Sequence, residues 1–221
     1  MEQRRIYVWD LGVRVFHWTL VTLFIVAYFT GESEGDIHSY AGYAVIGLVI
    51  FRVLWGFVGT RHARFSNFLA SPAAIWAYLR SLWTGHPKHY DGHNPAGGWM
   101  VILLLLALAG ISWSGLEVYG AEGHGPLAAA PELITTAAAD SDNENDDRYE
   151  HEHGEDNEAE EFWEEIHELC VNFTLLLIAI HVSGVLISTL LHRENLIGAM
   201  ITGYKHPPHP IRRSSQSNSA V

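Results

Sequence analysis

The stretch EIHELCVNFTLLLIAIHVSGVLISTLL, residues 165–191, decides the fold. From Ile166 to Leu191 it is apolar for longer than the about 20 residues a helix needs to cross a bilayer, yet it carries His167 and His181. On a helix rising about 1.5 Å per residue, the fourteen-residue step between them is roughly 21 Å along the axis and leaves the two imidazoles within about 40° of one face. One histidine therefore sits near each surface of the membrane. An ionisable side chain at that depth is expensive and tends to mark a functional site.

Working outward, three further runs have the same character: Leu11 to Phe29, Ile37 to Val58 and Gly97 to Tyr119. The sequence predicts an all-α, integral-membrane four-helix bundle with spans at about 11–29, 37–58, 97–119 and 166–191. Mean hydropathy over the 221 residues is only +0.08 and the net charge is −12, values that suggest a soluble acidic protein until the acids are located. Between Asp140 and Glu168 lie 15 of the 25 carboxylates with one arginine, Arg148, so that segment carries −14 and the rest of the chain +2. A water-soluble globular protein is ruled out. The lone Cys170 excludes a disulfide scaffold, and no Cys-x-x-Cys-His attaches a c-type haem. The first run follows Arg4 and Arg5 but has no small-x-small cleavage site near Tyr28 and Phe29, so it is read as retained.

Lys and Arg outside the runs set the orientation. Ten lie at the N-terminus, in the second connection and in the tail, against Arg148 alone in the other two connections. By the positive-inside rule both termini are cytoplasmic in a bacterial inner membrane. Trp9, Tyr28, Tyr40, Trp55, Trp99, Tyr119 and Trp163, near the run ends, fit interfacial belts. In the second connection Ser71-Pro72 opens a helix over about 72–84, where Ile75, Trp76, Leu79, Leu82 and Trp83 recur at helical spacing; it is expected to lie on the cytoplasmic membrane surface. Residues 120–162 read as a low-complexity, acidic periplasmic loop that becomes helix-prone from Glu158, and 192–221 as a cytoplasmic tail.

Of 14 histidines, ten lie in loops or tails; the others are His17, His38, His167 and His181. Depth pairs His17 with His181 on the cytoplasmic side and His38 with His167 on the periplasmic side. Facing imidazoles in apolar surroundings without carboxylates suit haem iron better than a bare ion, because the porphyrin is itself large and apolar. Gly42, a turn beyond His38, and Gly184, a turn beyond His181, leave room for a ring beside each ligand. The bland alternative makes these histidines hydrogen-bonded packing or interfacial groups. Arg52, costing about 2.5–3.5 kcal/mol at a helix centre, is assigned to a haem propionate with Arg14, Arg61 or Arg64 nearby; otherwise it snorkels to headgroups. Glu117 is either a proton-exchanging group at a quinol site or merely interfacial. His151 and His153 among carboxylates read as part of a solvated acidic loop rather than a cation site, and His86, His89 and His93 form a weaker cluster.

The segments Trp9-Asp10 with Arg14, Phe16-His17-Trp18, His38-x-x-x-Gly42 running to Phe51-Arg52 and Trp55-Gly56, Ala63-Arg64-Phe65, and Glu165-Ile166-His167 with His181 occur in one order. In this the chain resembles the bacterial di-haem cytochrome b family, which includes the b subunits of nickel-iron hydrogenases and the b-561 type cytochromes. The resemblance implies two b haems with His17, His38, His167 and His181 as axial ligands. It also implies electron transfer between membrane quinone and a redox partner: a basic periplasmic carrier such as cytochrome c, or a dehydrogenase or hydrogenase subunit. The acidic third connection departs from the family pattern and leaves the partner open. Two alternatives stand beside this reading: a stand-alone superoxide:quinone oxidoreductase of the b-561 type, against which the −14 segment weighs, and a non-haem metal-binding membrane anchor. Besides membrane lipid a homo-oligomer stays open, and nothing points to nucleic acid.

Overall fold

The computed structural model describes residues 6–31, 36–84, 90, 92–128, 148–192 and 194–205, with only the backbone for 148–159 and 192. Their order is β1 (Ile6–Tyr7), α1 (Leu11–Thr30), α2 (Asp36–Val58), α3 (Phe65–Phe68), α4 (Pro72–Trp83), α5 (Pro95–Ala121), α6 (Arg148–His192), α7 (Leu196–Thr202) and β2 (Tyr204–Lys205). Four helices are long and apolar enough to cross a membrane: α1, α2, α5 and the Glu160–Leu191 part of α6.

Three of the helix starts have a capping side chain just ahead of them. Asp10 caps α1 by accepting from Val13 N at 2.9 Å, Ser71 caps α4 ahead of Pro72, and Asn94 caps α5 ahead of Pro95 by accepting from Gly97 N at 2.7 Å. The cap at Asn94 starts the third span two residues before the apolar run. α6 begins at Arg148, inside the segment read from sequence as loop, because glutamate-rich sequence is helix-forming and acids favour a helix N-terminus. The acidic connection is correspondingly shorter than 120–162, and residues 129–147 lie outside the described ones. The tail carries structure that the sequence reading lacked: α7, and β2 paired antiparallel with β1, Ile6 opposite Lys205 and Tyr7 opposite Tyr204. His86, Lys88, His89, the side chains of His151 and His153, and residues 206–221 lie outside the described residues.

α1 packs on α2, α2 on α5, and α5 on α6, while α6 makes next to no backbone contact with α1 or α2. The small buried core, with Ala41 and Val45 from α2, Leu105 and Leu108 from α5 and Leu177 from α6, lies along the packed helices. Between α6 and the α1–α2 pair a slot is left, and it is across this slot that the histidines face. On α4, Ile75, Tyr78 and Leu82 turn toward the bundle while Trp76, Leu79 and Trp83 point away, so the apolar stripe expected on one face is divided between two.

Candidate functional site

Two histidine pairs lie at different heights along α6. At the end distant from the termini, the rings of His38 and His167 have centroids 6.2 Å apart at 80°. Metal–imidazole bonds of about 2.0–2.1 Å put the centroids of two collinear ligand rings roughly 6.4 Å apart, so an iron atom fits between these two with little movement. His38 Nδ1 lies 2.9 Å from Ala27 O, and His167 Nδ1 lies 3.0 Å from Ser114 Oγ. Each partner holds its ring by Nδ1 and leaves Nε2 for a metal, the arrangement outer-shell groups impose on ligating histidines.

At the terminal end, His17 and His181 are electrostatic neighbours, and His17 Nδ1 is buried without a hydrogen-bond partner. Arg14, one turn before His17, donates from Nη1 to Ile201 O at 2.6 Å while its Nε is likewise buried and unpartnered. Trp18 Nε1 donates to Met200 O at 3.3 Å, so α7 closes over this part of α1. Cβ atoms built on Gly42 and on Gly184 would meet nothing within 4 Å. Orphaned polar atoms, open space at both glycines and imidazoles that neighbour each other in twos fit a porphyrin; among the described residues no three His, Cys, Asp or Glu side chains converge as a bare ion would need.

The arginines singled out from sequence are braced by protein. Arg52, 3% exposed, donates from Nη1 and Nη2 to Ala63 O at 3.2 Å each and stacks 5.1 Å above Phe65, with Asp10 as its nearest opposite charge. It neither reaches the surface nor uses all five N–H groups. Arg64 donates from Nε to Gly59 O at 2.7 Å in the same turn. Asp10 ties this turn to α1 by accepting from Trp55 Nε1 and the Thr60 hydroxyl. Glu117 is half-buried late in α5, and no hydrogen bond places it at either pair.

Two contributors escape a reading of the sequence, and a third was read there only as part of a weak loop cluster. Ser114 and Gly115 stand in a helix without histidine, and only the packing of α5 on α6 brings them to His167; a Cβ on Gly115 would come within 3.1 Å of His167 Cε1. The signal available was a Gly and Ser pattern, Gly110 with Ser114-Gly115, interrupting a leucine-rich run. His93 is the third. It packs against Trp9 and Phe68, with ring centroids 4.6 Å away in each case, and its Nδ1 is buried without a partner. Burial first, then the nearby Arg52, Lys205, His62 and His181, push its pKa down to about 3.

Residues 8–203 match the family described as prokaryotic cytochrome b561. A probable Ni/Fe-hydrogenase B-type cytochrome subunit of Rhizobium leguminosarum bv. viciae is 29% identical over 153 residues, which cover 57% of this chain and 64% of the relative. The proteins of the same description from Azotobacter chroococcum mcd 1 and Azotobacter vinelandii are each 29% identical over 163 residues, covering 60% of this chain and 67% of theirs. The chain thus spans about two thirds of the length of these curated relatives. No solved structure matches it. With four apolar helices and a match that runs from before α1 to the end of α7, the chain belongs to the prokaryotic cytochrome b561 family, multi-pass membrane electron-transfer proteins that carry b-type haem.

Proposed function

We propose that this chain conducts electrons across the bacterial inner membrane through two b haems, one held by His17 and His181 near the cytoplasmic face and one by His38 and His167 near the periplasmic face. The observation that carries the reading is the facing of His38 and His167, with His17 and His181 as neighbours at a second level of α6, set across a slot where α6 leaves α1 and α2 unpacked. Haem bound there would supply one-electron carriers, held by histidines that stand roughly 21 Å apart along α6. The protein's own part is to hold the rings by Nδ1, leave space at Gly42 and Gly184, and offer Arg14 and Arg52 to the propionates at the end bearing the termini. Arg64, braced on Gly59, belongs to the same basic turn. Lys and Arg counts favour the cytoplasmic side for that end.

Electrons pass between membrane quinone and a redox partner. The relatives' description as hydrogenase cytochrome subunits favours a hydrogenase subunit as that partner; the acidic segment between Asp140 and Glu168 suits a basic surface or a basic periplasmic carrier. The test is a reduced-minus-oxidised visible spectrum with a pyridine haemochrome assay. About two b haems per chain are expected, falling to one in His181→Ala. A colourless protein, or two haems surviving in the variant, overturns the scheme.

A further inference from the structure

Ser114 is 1% exposed, and its Oγ lies 2.9 Å from Gly110 O, 3.2 Å from Ile111 O and 3.0 Å from His167 Nδ1. A hydroxyl has one proton, and carbonyl oxygens only accept. That proton goes to the turn of helix behind it, so toward His167 the oxygen acts as acceptor and Nδ1 carries the hydrogen. Ile111 O is a second acceptor within reach of the same ring, which leads to the same tautomer. Across the site, Ala27 O dictates the same arrangement for His38. His17 in the other pair has no such anchor on its Nδ1.

We propose that Ser114 is a positioning residue for the haem between His38 and His167: it holds His167 in the tautomer that ligates through Nε2 and sets that haem's reduction potential. The inference rests on the two-haem reading above. An Nδ1–H donated to an oxygen gives the imidazole more basic character, which favours ferric over ferrous iron and lowers the potential. Gly115 completes the device sterically, because any larger residue there presses on the same ring.

The experiment is a potentiometric titration of the full-length protein in detergent, followed by visible and electron paramagnetic resonance spectra. His167→Ala first identifies which of the two haem signals belongs to this site. Ser114→Ala is then expected to shift that haem's midpoint upward, leave the other haem's midpoint in place, and keep two haems per chain; Ser114→Thr, which retains the hydroxyl, returns the midpoint to the wild-type value. Gly115→Ala, which keeps the acceptor and displaces the ring, is expected to change the low-spin resonance of the same haem alone. Selective loss of that haem in Ser114→Ala also supports the assignment. Unchanged midpoints in Ser114→Ala overturn it, since Ile111 O then suffices, and so does an equal shift of both haems, which marks a general loosening of the bundle. A wild-type protein with fewer than two haems, or two haems surviving in His167→Ala, overturns the two-haem reading instead.

Discussion

A buried carboxylate with three jobs is the most exposed point of this design to mutation. Asp10, 6% exposed, caps α1 and accepts from both Trp55 and Thr60. Asp10→Ala is expected to remove about 1 kcal/mol with the cap and roughly 0.5–1.5 kcal/mol for each of the part-buried bonds from Trp55 and Thr60, seen as a lower melting temperature in detergent; Asp10→Asn, which still caps, loses less. His93 gives a pH dependence whose sign is fixed by its surroundings. Its folded pKa of about 3 lies below the ordinary 6.5, so between those values the unfolded chain takes up a proton that the folded one refuses. Stability therefore falls as pH drops below 6.5, and His93→Gln is expected to flatten that slope in melts between pH 7 and pH 5. The four spanning histidines were legible because an imidazole in an apolar run is conspicuous. Ser114 and the burial of His93 were not: a serine in a membrane helix is ordinarily bonded to its own backbone, as Ser114 also is, and the loop that buries His93, read only as one of a weak cluster, is set by contacts with Trp9 and Phe68 far away in sequence.

The existence of the four apolar helices and of the helix after Pro72 was legible, since apolar length and proline-led caps are strong local signals, whereas the early start of α6 at Arg148 and the whole of α7 were not. What periodicity left open is which way a face points. The stripe on α4 matches a membrane-surface helix, yet Tyr78, absent from that stripe, is the residue it buries, with Ser188 and Asn94 close to its hydroxyl. α6 is longer than the span it contains. At about 1.5 Å per residue its 45 residues reach about 68 Å, against about 30 Å for a hydrocarbon core. One helix thus carries a histidine of each pair and continues into the acidic segment without a joint. The glycine positions are open rather than packed, so filling them tests the slot without harming the helices. Gly184→Leu is expected to leave helical content unchanged by circular dichroism and to lower the haemochrome yield by about one haem per chain.

For the whole molecule, the four spans follow from apolar length, but the slot does not. It is the product of which helices pack, α1 with α2 and α5 with α6, and hydropathy is silent on pairing. The separation of charge is equally a property of the entire chain: −14 in one segment and +2 elsewhere. Deleting residues 140–156, which removes nine of those carboxylates, is expected to leave the haem spectrum intact and slow electron transfer to a basic carrier at low salt. Equal rates with and without the segment reject a docking role. The sharing of α6 by both histidine pairs also has a consequence for biosynthesis. α1 and α2 leave the ribosome first with one histidine each, and their partners arrive together on the last span. On the proposed two-haem reading, a chain stopped anywhere before α6 would hold two unpaired imidazoles and no complete site, so both haems would be acquired late, and strand β1 near the front of the chain waits for β2 to close behind them.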